Sequence, residues 1–278
     1  MIALVRDRSP RAVHKNFRGA KRIEFNVELL RQEIDVLDRH QDNRKFDSSR
    51  WKYAKDQLFT ETGDKCAYCE AHTRAVAHGD VEHYRPKSDY WWLAYCYENY
   101  LVSCAVCNQI HKKDKFPIQG LAMRGPDPEA FRKRIPAFAA NLNPDPLQES
   151  AGLGYNDFKQ VCDQEGALLL NPYYHDPEAF IAYSADDLLQ EVAVTAATEE
   201  ARPVVEASVV IYGLNRTELL SLRYYVFSIY DTLWLTLKDP GISNATRRRA
   251  EDEIGRMTHS SSQFAGMVRY FERIRGNS

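Results

Sequence analysis

Cys66-Ala-Tyr-Cys69, then Asp80-Val-Glu82-His83-Tyr-Arg85-Pro86-Lys87-Ser88, then Asn99-Tyr-Leu-Val-Ser-Cys104-Ala-Val-Cys107-Asn108 follow one another within a single stretch of the chain. Two Cys-x-x-Cys pairs let four thiolates close a tetrahedral zinc site, and such a site is structural because no coordination position is left for water. Either pair alone reads as a redox motif, but two pairs bracketing a segment rich in His and Asn point to metal. The 34 residues between Cys69 and Cys104 exceed the spacing of a simple zinc ribbon. A hairpin with a long loop is expected to fill that gap, with the metal folding a segment too poor in apolar surface to hold itself together.

The groups between the cysteine pairs suit metal-assisted phosphodiester hydrolysis. In-line attack by hydroxide needs a base to deprotonate water and a cation to stabilise charge on the phosphoryl and leaving oxygens. His83 is the candidate base, since an unperturbed imidazole titrates close to working pH. Glu82 and Asn108 offer hard oxygen ligands suited to Mg2+ or Mn2+. Any one of these residues alone reads as structural; their joint spacing carries the argument.

The pattern Cys-x-x-Cys, Glu-His-x-x-Pro, Asn-x-Leu, Cys-x-x-Cys-Asn resembles the HNH endonuclease family, over about Cys66 to Lys115. The resemblance implies a ββα-metal unit in which His83 matches the general base and Glu82 the metal-ligand carboxylate before it. It also implies that Asn99 is the middle asparagine that pins the loop carrying the base, and that Asn108 is the ligand on the helix. Glu82 stands where Asp is more common and Asn108 where His is, which leaves Asp80 and His111 as substitutes for the ligand roles. Further strings, Val81 to Ser88, Leu170-Asn171-Pro172 with Asp176-Pro177-Glu178, and Tyr212-Gly213-Leu214-Asn215-Arg216, look like the retron-associated and Septu-type HNH nucleases. Those are anti-phage defence subunits found with an ATPase of the ABC or SMC type, so DNA and such an ATPase are the implied partners.

Outward from this segment the chain reads as helical on both sides. Val27, Leu30, Ile34 and Leu37 recur at helical spacing behind Asn26 as a cap, and a second helix follows Ser48-Ser49 with Trp51, Ala54 and Leu58 on one stripe, stopping near Gly63. After Gly120 the strings Gly125-Pro-Asp-Pro128, Asn143-Pro-Asp-Pro146 and Asn171-Pro172 mark loops with short elements between them. A long helix is expected from Thr217 to Asp239-Pro240-Gly241, another from Asn244, and a last one through Phe264 to Ile274. The fold class is therefore α+β: a mostly helical protein with an embedded ββα-metal core. It divides into a helical lead-in with a basic arm (1–62), the nuclease core (63–120) and an acidic, mainly helical region (121–278).

Six cysteines in a reducing compartment do not suggest a disulfide framework, and Cys96 and Cys162 read as small buried hydrophobes. No window approaches the roughly 18 uncharged apolar residues of a membrane span, and no apolar leader precedes Arg6 and Asp7, so a cytoplasmic location is expected. The formal net charge of −2 hides a segregation. Arg6, Arg8, Arg11, Lys15, Arg18, Lys21 and Arg22 face only Asp7 up to Ile23, whereas from Ile135 to Ala201 twelve acidic residues face only Lys159. A polyanion is expected to prefer the basic arm, and the acidic region to dock a partner. Arg85, Lys87, Lys112, Lys113 and Lys115 flank the site as candidate phosphate contacts. The rival class is a non-catalytic zinc module that binds nucleic acid or a partner protein.

Overall fold

The computed structural model describes residues 1–42, 44–148 and 152–276. Helix α1 runs from Gly19 to Arg39 and is followed by α2 (Ser48–Lys52) and α3 (Lys55–Thr62), which ends on Gly63 in the left-handed conformation. Strands β1 (Asp80–His83) and β2 (Tyr100–Ser103) pair antiparallel, with Glu82 opposite Leu101 and His83 opposite Tyr100. A short π-wound helix, Val106–Lys112, follows directly. Then come α4 (Pro128–Lys133), α5 (Ile135–Asn141), α6 (Tyr155–Gln164) and α7 (Pro177–Phe180). A second hairpin, β3 (Ile181–Asp186) with β4 (Glu191–Ala196), precedes α8 (Arg202–Tyr212), α9 (Thr217–Lys238), α10 (Asn244–Thr258) and α11 (Ala265–Gly276). No helix among the described residues is long and apolar enough to cross a membrane.

Helix α1 begins well before the expected cap. Asn26 lies in its interior, fully buried, where its side chain donates to the Ala139 carbonyl (2.8 Å) and pairs with Asn143. Arg22 is buried one turn earlier and donates to the Asn143 carbonyl (2.5 Å). Tertiary partners from the Asn-Pro-Asp-Pro turn thus carry the helix through residues that read locally as arm and cap. The expected helix after Ser48 is interrupted at Tyr53-Ala54 and resumes as α3. In the acidic region the β3/β4 hairpin is a further departure from a mainly helical reading: Ile181, Tyr183, Val192 and Val194 alternate inward along its two strands.

Three apolar clusters meet at the β1/β2 hairpin. Leu101 and Tyr84 belong to the largest, which joins Cys66, Tyr68 and Cys107 to residues from Leu169 to Phe271. Val81, Tyr100 and Val102 belong to a second, with Phe17, Leu58 and Phe59. The loop between the strands, Trp91-Trp92-Leu93-Ala94-Tyr95-Cys96, is apolar and sinks into a third, against Phe25, Leu29 and Leu30 of α1. Both faces of this small sheet are therefore covered, which fixes its register, since a slip of one residue would exchange the two faces. The segment 63–120 accordingly shares its core with what precedes and follows it.

Candidate functional site

The four cysteines converge. Their Sγ atoms all lie within 4.8 Å of one another, and Cys66, Cys69 and Cys107 are buried while Cys104 is partly exposed. Tetrahedral bonds of about 2.3 Å would separate the sulfurs by roughly 3.8 Å, so small adjustments place all four on one ion. The Cys107 N–H donates to Cys104 Sγ (3.4 Å), the backbone-to-sulfur contact a Cys-x-x-Cys turn creates. Burial pushes the Cys66 thiol up, whereas hydrogen bonds from Cys107, Cys66 and Cys69 pull Cys104 down. The donor set, four soft sulfurs crowded without a carboxylate, fits a closed site for a metal such as zinc.

The tail of the chain packs onto this cluster through one turn. Tyr212 stacks on Tyr68, inside the first cysteine pair, at a centroid distance of 3.8 Å and 12° between rings. Gly213 holds φ +63°, and a Cβ there would come within 2.5 Å of the His111 ring. Arg216 Nη1 reaches Cys107 Sγ at 3.5 Å. Tyr212-Gly213-Leu214-Asn215-Arg216 thus supplies a stacking ring, a close approach and a cation to offset thiolate charge, the kind of outer contact that tunes metal sites.

On the far end of β1 the residues face a polar cavity of about 140 Å³, lined by Trp51, Val81, Glu82, His83, Pro86, Lys87, Asn108, Lys113 and Asp114. His83 is buried, with Trp51 (4.9 Å) and Tyr100 (5.1 Å) edge-on to its ring. Its Nε2 lies 2.9 Å from the Ala94 carbonyl. A carbonyl only accepts, so Nε2 carries the proton and the neutral ring keeps its lone pair on Nδ1. Burial holds the imidazole down at about 3, against the Ala94 carbonyl, which favours the charged form. His83 is therefore neutral across the physiological range, where sequence reasoning expected an unperturbed imidazole.

Asn99 clasps the loop that follows: its Oδ1 accepts from Arg85 N–H (2.8 Å) and its Nδ2 donates to the Arg85 carbonyl (2.9 Å). It acts on the backbone two residues beyond His83 and is a positioning residue. Glu82 is buried, which raises its carboxyl, and its Oε1 lies 2.6 Å from Lys112 Nζ without hydrogen-bond alignment. Asn108 lines the cavity and donates to Asp80 Oδ2 (3.2 Å), which also receives Gln109 (2.8 Å). Neither substitute ligand reaches this cavity: Asp80 is engaged by those two amides, and His111 lies against Gly213. Among the described residues, the four cysteines are the only group of three or more His, Cys, Asp or Glu positioned to hold a metal ion.

Two of the five expected phosphate contacts do not reach the surface. Arg85 is 1% exposed and donates through Nε to Glu165 (2.6 Å), and Lys112 is fully buried between Glu82 and the His83 carbonyl (3.0 Å). A cation held this way inside the protein satisfies an internal carboxylate and presents no charge to a phosphate. Lys113 and Lys115 are exposed, and Lys87 is partly exposed above the Trp51 ring. Three of the seven cations of the basic arm are likewise engaged within the protein, while Arg11 and Lys15 are exposed. Arg6 is buried between Tyr97 and Tyr173 and paired with Glu61, Arg8 binds Glu98 through both Nε and Nη2, and Arg22 is buried beside Asp145. Within the acidic region Asp145 and Glu165 are buried partners of these arginines, while Asp186 and Asp187 stand exposed at the β3/β4 tip beside Leu188 (92% exposed) and Leu189. Cys96 and Cys162 are buried, and burial raises both thiols, Cys162 to about 12.

Sequence reasoning missed Ala94, which acts through its backbone carbonyl and has no side-chain signature. It placed Trp51 on a helix stripe without the cavity, and it gave Asp114 no role.

The chain is similar to the Septu protein PtuB of Bacillus mycoides (strain KBAB4), being 27% identical over 191 residues that make up 64% of this chain and 52% of that protein. It thus spans about half the length of the curated relative it matches. No family model matches the chain, and no solved structure does.

Proposed function

We propose that the chain is a metal-dependent HNH-type endonuclease that hydrolyses DNA phosphodiester bonds, acting in Septu-type anti-phage defence with an ATPase partner. The observation that carries the reading is His83: a neutral imidazole whose tautomer is set by Ala94, on a ring that lines a polar cavity together with Glu82 and Asn108. In the reaction His83 takes a proton from the attacking water through Nδ1, with Ala94 and Asn99 holding the ring and its loop in place. A divalent cation, Mg2+ or Mn2+, fits the oxygen donors of Glu82 and Asn108. It would supply the positive charge that the phosphoryl and leaving oxygens develop. Glu82 lines the cavity, and its Oε1 is held 2.6 Å from the Lys112 ammonium, which such an ion would have to share or displace. The likeness to a Septu protein supports the defence role. The exposed Asp186-Asp187-Leu188-Leu189 tip supports a docking surface for a basic patch on the partner, with charge supplying orientation and association rate more than affinity.

The second reading, a non-catalytic zinc module, is favoured by two observations: the Lys112 ammonium already neutralises Glu82, and burial holds the His83 imidazole at about 3, well below the range that suits a general base. Plasmid cleavage with Mg2+ or Mn2+, with and without the ATPase, separates the two. His83→Ala should lower the rate on the order of 10²–10⁴-fold while metal content at the cysteines stays the same. Equal cleavage by the two proteins would move the nuclease site away from His83, and no cleavage by either protein, with or without the ATPase, would favour the module.

A further inference from the structure

Lys112, Lys113, Asp114 and Lys115 close a tight turn at the end of the π-wound helix: the Lys115 N–H donates to the Lys112 carbonyl at 3.0 Å. Its first central residue, Lys113, has φ 51° and ψ −124°. These are the angles of the first central position of a type II′ turn, a place dominated by glycine because any Cβ is crowded there. The turn is held in this shape from both sides. The Lys112 ammonium is buried against Glu82 and the His83 carbonyl, and the Lys113 N–H donates back to Asn108 (2.7 Å). Both central residues, Lys113 and Asp114, line the His83 cavity, and both are exposed. Two consecutive lysines therefore point opposite ways, one into the protein and one to the mouth of the cavity.

Backbone strain of this kind persists where surrounding contacts over-determine it, and it concentrates where a side chain is needed in one place. We propose that Lys113 is the phosphate-contacting residue of the His83 cavity, held there by a turn whose geometry favours glycine. The proposal rests on the nuclease reading and deepens it, since it assigns which cation at the cavity meets the backbone of the nucleic acid. Lys87 also lines the cavity, half-buried over the Trp51 ring and without such strain; on this account it sets the local charge, and the exposed Lys115 is a solvated surface cation.

Two variants test it in the full-length chain. Lys113→Gly removes the ammonium and relieves the turn; Lys113→Ala removes the ammonium and keeps the strain. Binding of a fluorescein-labelled DNA duplex is followed by anisotropy between about 50 and 200 mM salt in a His83→Ala background, so that cleavage cannot interfere. Loss of one phosphate contact should reduce the slope of log K against log salt by about 0.9 in both variants. The melting temperature should rise by roughly 2–4 °C in Lys113→Gly only. An unchanged slope, or a duplex that the parent protein does not bind, overturns the phosphate role, and a lower melting temperature in Lys113→Gly overturns the strained turn. Failure of the nuclease reading shows separately, as equal plasmid cleavage with and without His83.

Discussion

Around the four cysteines the chain closes from three directions: the first pair, the start of the π-wound helix and the Tyr212–Arg216 turn all press on one another. Around His83, at the end of β1, it stops short and leaves a polar cavity of about 140 Å³. The closed cluster offers four like donors and a cationic neighbour, Arg216, in contact with Cys107. The open one mixes a neutral base, a buried carboxylate already met by Lys112, an amide and an exposed lysine. The contrast teaches that one short segment, from Cys66 to Asp114, carries two polar centres with different physical character. The first is packed tightly, with Cys66, Cys69 and Cys107 buried and Cys104 partly exposed. The second keeps a polar cavity, its groups fixed from behind, by Ala94, Asn99 and Lys112, and left open in front.

The comparison can be broken most forcefully at the closed cluster. Cys69→Ser should remove the metal and unfold the cysteine segment together with the Tyr212–Arg216 turn that leans on it, because a structural site contributes about 10 kcal/mol or more to folding. Metal analysis with hydrogen exchange reads both effects, and a metal-free chain with native protection would end the structural role. Next in size is Glu82→Ala, which leaves the Lys112 ammonium buried and unpaired at a cost of about 3–5 kcal/mol. The Glu82→Ala/Lys112→Met pair should regain most of that in denaturant unfolding; equal losses in the single and double variants would mean that the ion pair is not what fixes the cavity wall.

A pH experiment sharpens the His83 side. Burial holds the imidazole at about 3 in the folded chain, against an ordinary value of 6.5. Only the unfolded chain takes up this proton between those values, so the stability present above pH 6.5 should be lost progressively as pH falls toward 3. The loss amounts to a few kcal/mol by order of magnitude, and His83→Phe should lose less over the same window in buffer without added divalent cations. Acid sensitivity equal in both proteins would show that the ring is better solvated than its burial implies. The smallest effect is expected at Gly213→Ala. There a positive φ and the His111 ring together should cost roughly 1–3 kcal/mol, measured as a lowered unfolding midpoint, with metal retained.

Much of the candidate site was legible because its residues are short-range neighbours with distinctive chemistry. Cys66, Cys69, Cys104 and Cys107 are spaced for one ion and do converge, and His83, Glu82 and Asn108 do line one cavity. The long C-terminal helices were legible from their apolar period, α9 beginning at Thr217 and ending before Asp239. What stayed hidden depends on partners far away in the chain. Arg85 and Lys112 read as phosphate contacts because nothing local reveals Glu165 beside one and Glu82 beneath the other. The arm's arginines read as free charge for the same reason, since Glu61, Glu98 and Asp145 lie far along the chain from Arg6, Arg8 and Arg22. Asn26 read as a cap because its buried partners, Ala139 and Asn143, are more than a hundred residues on. The strain at Lys113 had no signal in residue type, since lysine is an ordinary helix-end residue and only the turn angles set it apart.

The division of labour between the two centres is tested most directly by following cysteine-bound metal and plasmid cleavage in one preparation. A chelator is first added at a level that strips weakly held divalent ions, and Mg2+ is then returned. The account predicts that cleavage falls away and comes back while about one metal per chain remains on the cysteines throughout. Cleavage that persists without divalent ions, or that rises and falls with the cysteine-bound metal, would contradict it.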